Sequence, residues 1–220
     1  MPAKKLFCVK LCEKKQAKEY VLPRHYSGTW NANFGTFCVG LFLDDRMVGC
    51  AVFGRFMNQN SYGKLHPLLN KDNCLELNRL FVDDDVGRNI ESWFLSRCIA
   101  ILKTNGIKCV QSFSDGRLGC GIVYQASNFD YYGFHKSVFI IDKSTGMIAH
   151  KKVMENSKRQ KAMLFWQDVK ARGDLQLMEV NTFRYLFWID KRMRKNCLLK
   201  QRPYPKLEKC VTYLEVYNAS

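Results

Sequence analysis

The sequence predicts one α+β domain on a mixed central sheet flanked by helices, with a basic C-terminal extension. Three observations carry this. Short apolar runs bounded by Gly, Pro, Asn and Asp recur along the chain, as strands do. One segment after Arg88 has clear helical spacing, with Ile90, Trp93, Phe94, Cys98, Ile101 and Leu102 recurring on one side. The 220 residues, 47% of them apolar, are enough to bury a full core. The domain is placed at residues 1–180, the basic extension at 181–206, and a loosely attached tail at 207–220.

The elements follow in order. Leu6 to Leu11 alternates as a strand, and Lys14 to Val21 reads as a short helix that Pro23 stops. A loop, Arg24-His25-Tyr26-Ser27-Gly28-Thr29-Trp30, leads to two strands, Gly35–Leu43 and Met47–Gly54, with Asp44-Asp45 at the hairpin turn. Asn58 to Asn73 is a polar connection, and Cys74–Val82 is the next strand, ended by Asp83-Asp84-Asp85. Asn105-Gly106 supplies the stop for the long helix. Cys109–Phe113 is an interior strand and Phe134–Ile141 a further one. Lys151 to Ala171 is expected as a helix and Thr182–Ile189 as an aromatic-rich strand.

Composition narrows the function classes. No apolar run approaches the roughly 20 residues that span a bilayer, and Met1 to Phe7 lacks an export core, so a cytoplasmic protein without membrane contact is expected. Of the ten cysteines, Cys38, Cys50, Cys98 and Cys109 fall in apolar runs and none forms a CxxC pair. That argues for reduced core thiols and against a cysteine zinc site. The net charge is +15, and Lys151 to Lys206 alone holds 15 Lys or Arg against 5 Asp or Glu. Such a field favours a polyanion, because binding releases counterions. Lys191, Arg192, Arg194 and Lys195, together with Arg184, are the candidate phosphate contacts.

The most specific stretch is Ser112 to Phe129. A strand runs to Asp115, glycines at 116, 119 and 121 loosen a reversal, and Tyr124 follows nine residues after the carboxylate. A carboxylate and a phenol delivered to one place are groups that proton transfer can use. Asn78 and Arg79 on a buried strand need partners, and an active-site wall is one place to find them. Trp30, Phe129, Tyr131 and Tyr132 are candidates to stack on a base, with ordinary core as the alternative reading. His66, His135 and His150 read as loop, core or surface histidines.

The order strand, helix start, strand, Tyr is that of the GNAT acyltransferases. It implies that Gly87, Arg88 and Asn89 offer backbone N–H groups to the phosphates of an acyl-coenzyme A, although only one small residue, Gly87, stands in that turn. The match goes further. Leu77-Asn78-Arg79-Leu80-Phe81-Val82-Asp83, the helix from Asn89 to Arg97, Ser112-Phe113-Ser114-Asp115 and Ile122 to Phe129 together resemble the Mom family of phage DNA-modification proteins. His25-Tyr26-Ser27, Arg184-Tyr185 and Pro203-Tyr204-Pro205-Lys206 extend the resemblance over roughly residues 20 to 206.

The resemblance implies a GNAT-like fold and an enzyme, in the host bacterial cytoplasm, that attaches a carbamoylmethyl-type group to adenine N6 in double-stranded DNA and so protects phage DNA from restriction. It implies a functional set of His25, Tyr26, Asp115 and Tyr124, with iron held by His25, Tyr26 and Asp115. Asp115 or His25 would accept the N6 proton and Tyr124 would serve the leaving group. The donor is a small molecule, an acyl-coenzyme A or another compound of the cell. Two alternatives stay open: a GNAT N-acetyltransferase acting on a protein or small molecule, and a non-catalytic nucleic-acid-binding protein. The sequence leaves the oligomeric state open, a homodimer included.

Overall fold

The computed structural model describes residues 7–151, 171, 175–206 and 211–213. The elements are β1 (Phe7–Leu11), α1 (Lys14–Val21), β2 (Phe37–Leu43), β3 (Arg46–Gly54), β4 (Cys74–Val82), α2 (Ile90–Thr104), β5 (Cys109–Asp115), α3 (Ile122–Ala126), β6 (Asp130–Asp142), β7 (Ile148–His150), β8 (Leu175–Trp188) and β9 (Val211–Tyr213). The hydrogen-bonded strand order is β1-β2-β3-β4-β5-β8-β6-β7, with β9 on β8. The fold is therefore α+β with a mixed sheet, as the sequence predicts: β1 to β4 are antiparallel neighbours, and β4 and β5 are parallel.

The chain forms two compact units, and β5, β6 and β8 each have residues in both. Unit one comprises residues 1–113, 122–132 and 185–204. Its hairpin β2–β3 turns at Asp44-Asp45, where Leu43 pairs with Arg46 and Asp44 takes a positive φ of 52°. Ala17, Tyr20 and Val21 of α1 pack on Cys38, Cys50 and Val52, so the thiols serve as small core groups. Helix α2 buries Ile90, Phe94, Leu95, Cys98, Ile99 and Leu102, the stripe its spacing predicts. A further cluster gathers Phe56, Tyr62, Leu65, Leu69, Tyr132, Leu186 and Trp188, with the Trp188 indole N–H donating to the Tyr132 hydroxyl at 2.9 Å.

Unit two comprises residues 114–121, 133–184 and 205–220. Here Phe139–Ile141 of β6 pair with β7, and Ile140 packs on Leu175. Within 207–220, expected as a loosely attached tail, the described residues Val211–Tyr213 form β9 and pair with Met178–Val180 of β8. The helix expected over Lys151–Ala171 lies almost wholly outside the described residues. No described helix is long and apolar enough to cross a membrane.

Candidate functional site where the parallel strands part

In unit one, β4 and β5 pair over only four residues, Cys74↔Cys109 to Leu77↔Ser112. Strand β4 runs on to Val82 without that partner. At the parting, polar side chains replace the apolar ones of a buried parallel pair. Glu76 stands opposite Gln111, whose amide donates to Glu76 Oε2 at 3.0 Å. Two residues on, along the same face, the Asn78 amide donates to Glu76 Oε1 at 3.2 Å. Asn78 and Gln111 are buried and Glu76 half-buried. A carboxylate is thus held at low exposure by two neutral amides.

Arg79 follows. It reaches out to the loop after α1, donating from Nη2 to the Thr29 carbonyl at 3.0 Å and to the Thr29 hydroxyl at 2.7 Å. Its guanidinium lies over the Phe34 ring, 4.6 Å from the centroid, and its buried Nε has no hydrogen-bond partner. This fixes the segment that carries His25 and Tyr26. The His25 ring accepts the Ser27 backbone N–H on Nδ1 at 3.2 Å and packs, tilted by 30°, on the Tyr26 ring with centroids 4.4 Å apart. Burial, helped by the Arg79 charge, pushes the His25 pKa down to about 4. At neutral pH the ring is uncharged, with Nδ1 engaged as acceptor and the proton on Nε2. His25 is placed to donate, and is poorly suited to accept a proton. Tyr26 stands 55% exposed beside it.

Tyr124 enters from α3, a one-turn helix whose five residues are too few to show a period in the sequence. Its ring packs on Phe129 and Tyr185, at 5.5 and 5.3 Å, and the Gln125 amide donates to the Tyr185 hydroxyl at 3.1 Å. The Tyr124 hydroxyl lies beside Ser112. Burial and, to a lesser degree, the Glu76 charge raise its pKa, so the phenol keeps its proton. Glu76, Gln111 and Ser112 are the members that the sequence reading missed. The available signal was a charge between Leu75 and Leu77, in a strand that otherwise reads as buried.

Phe129, Tyr131 and Tyr132 are buried, at 0%, 4% and 8% exposure, and belong to the core; Trp30 is half-buried against Phe34. Gly87, Arg88 and Asn89 are exposed at the start of α2. Gly87 takes φ 120° and Asn89 φ 61°, and the Asn89 side chain makes no cap, which leaves the first N–H groups of α2 open to a ligand. Asp84, Asp85 and Glu91 flank that turn and weaken it as an anion site. Of the basic candidates, Arg192 is held by Asp190 and Arg194 by Asp130, whereas Lys191 and Lys195 are exposed with no ion pair among the described residues.

Asp115 belongs to unit two, as does Arg184, which is half-buried on β8. Arg117 holds both Asp115 oxygens through Nε at 3.0 Å, and its backbone N–H donates to Oδ1 at 2.9 Å. The same guanidinium lies 4.2 Å above the Phe139 ring, and Gly116 N–H donates to the Asn181 carbonyl at 3.0 Å. The carboxylate is therefore the organising anion of its own loop. Iron, the metal the resemblance implies, meets an unsuitable set: the Arg79 charge opposes a cation at His25 and Tyr26, and both Asp115 oxygens are taken by Arg117. Among the described residues, no three His, Cys, Asp or Glu side chains gather as a metal-holding group.

Solved acetyltransferases are similar to this α+β arrangement of a mixed sheet. An N-acetyltransferase of Staphylococcus aureus is 14% identical with a TM-score of 0.47, covering 84% of this chain and 99% of that one. A putative acetyltransferase of Salmonella typhimurium, solved with its cofactor acetyl-CoA, is 10% identical with a TM-score of 0.48, covering 84% and 95%. The chain belongs to the Mom protein family, whose model matches residues 6–206. It is 34% identical over 199 residues to the methylcarbamoylase Mom of Escherichia phage Mu, covering 86% of this chain and 80% of that protein.

Proposed function

We propose that this chain is a phage DNA-modification enzyme that transfers a carbamoylmethyl-type group to the N6 amine of adenine in DNA. Family membership supports the reaction class, and one observation supports the site. Glu76 is a half-buried carboxylate, held by Gln111 and Asn78 where β4 and β5 part, with a protonated Tyr124 within its field. Adenine N6 is a weak nucleophile because its lone pair is shared with the ring, so it needs a base in the transition state. Glu76 takes the N6 proton as the N–C bond forms. The donor's leaving group departs with its bonding electrons and receives a proton from Tyr124. His25, neutral and carrying its proton on Nε2, donates a hydrogen bond to the base, and Tyr26 lies open beside it to stack. The target adenine reaches these groups by extrusion from the duplex. A small-molecule donor binds at Gly87–Asn89, its anionic part on the backbone N–H groups of α2.

Asp115 is a positioning residue in this reading, and its loop is held by the Arg117 pair. Mass spectrometry of nucleosides from cells expressing the chain tests the reaction. A modified deoxyadenosine, with resistance of the same DNA to restriction digestion, is expected. Unmodified deoxyadenosine alone, from folded protein, overturns it. Stoichiometric iron in the purified protein, lost with His25→Ala, overturns the metal-free site.

A further inference from the structure

Elsewhere in unit one, the loop around His66 and the turn after β8 meet at a second concavity. The Leu198 N–H donates to the Leu65 carbonyl at 2.8 Å and joins the two segments. The cavity, of about 510 Å³, is lined by His66, Pro67, Leu68, Asn196, Cys197 and Leu198. That is within the range of about 300–1,000 Å³ usual for small-ligand pockets. Two of its walls are leucines left 66% and 61% exposed, at Leu68 and Leu198. Beneath them His66 is 3% exposed, its Nδ1 accepting the Leu68 N–H at 3.1 Å and its Nε2 lacking a partner.

The segments that form the concavity are rich in basic residues. Residues 191–204 contain six Lys or Arg and no Asp or Glu, and residues 59–71 contain two Lys and no acid. Arg192 and Arg194 are neutralised by Asp190 and Asp130, while Lys191 and Lys195 are not paired among the described residues. An apolar concavity beside a lysine-bearing turn suits a polyanion that bears flat apolar faces. A paired base has those faces covered by its neighbours, so the ligand that fits is a base out of the stack.

We infer that this face holds an unpaired nucleobase of a DNA strand, clasped between Leu68 and Leu198, with the flanking phosphates on Lys191 and Lys195. Leucine side chains are used at opened base steps in this way. The inference rests on the proposed DNA substrate: an enzyme that extrudes adenine leaves an orphaned base behind, and that base needs a place.

Fluorescence titration with two hairpin duplexes tests it, one with 2-aminopurine opposite an abasic site and one with it paired to thymine. The wild-type chain is expected to bind the first roughly tenfold more tightly. Leu68→Ser with Leu198→Ser should erase that preference at unchanged Tm, since both side chains are exposed. Lys191→Gln with Lys195→Gln should weaken both duplexes alike and lower the salt slope by about two. Equal wild-type affinities, or a preference that survives the leucine changes, overturn the inference. Tighter binding to anionic phospholipid vesicles, lost with the same leucines, also overturns it and assigns the face to a membrane. Modified deoxyadenosine in cells without the oligonucleotide preference sinks this inference alone. The preference without modified deoxyadenosine sinks the proposed reaction alone.

Discussion

Glu76 and His25 show how strongly a residue's surroundings set what it does. Glu76 holds a carboxylate between two amides in a strand flanked by leucines, and Glu76→Gln keeps the shape while removing the proton acceptor. Its expected effect is a loss of modification on the order of a hundredfold or more, with Tm near wild type. A variant that modifies DNA normally would remove Glu76 from the reaction. For His25 the folded pKa is about 4, against about 6.5 for an ordinary histidine. The unfolded chain thus binds this proton more readily. Stability is complete above about pH 6.5 and falls as pH drops from there towards 4. His25→Gln should flatten that part of the curve of Tm against pH, and an unchanged slope would show that His25 is not held neutral.

Elements act through how closely they approach. Gly54, at the end of β3, has no room for a side chain: a Cβ there would collide with the Asn33 carbonyl and Asn78 Oδ1, and would come within 2.9 Å of the Phe34 Cα. Gly54→Ala is therefore expected to cost about 1–3 kcal/mol in urea unfolding. It should also reduce modification, because Asn78 supports Glu76. The loop after β5 supplies a second test. Asp115→Asn and Arg117→Gln break one pair, so they should reduce activity by similar factors and act on the same loop. A far larger loss for Asp115→Asn, with Arg117→Gln near wild type, would make Asp115 a group that touches substrate.

For the whole molecule, the net charge of +15 favours the proposed DNA substrate and makes its binding depend on salt. DNA affinity should fall on the order of a hundredfold between 50 and 200 mM salt for about four phosphate contacts. A salt-independent affinity, measured by anisotropy, would exclude phosphate binding as the basis of the attraction. Much of the fold was legible beforehand. Helix α1 and strand β4 run between the residues that Pro23 and Asp83 bound, and α2 follows its apolar stripe. What was not legible is short or depends on a partner: five residues of α3 show no period, and three residues of β9 form a strand only because β8 is beside them.

The sequence by itself determined the class of the fold, the family resemblance and the basic character of the chain, because each is written in local pattern or summed charge. Tertiary structure alone determined which polar groups meet. Gln111 reaches Glu76 across 35 residues through the parallel register of β4 and β5, and no spacing in the chain announces that contact. Asp115 differs: its carboxylate is held by Arg117 only two residues along, through the turn of its own loop. Proton-transfer chemistry depends on distance and desolvation, and a linear sequence encodes neither until the strands have paired.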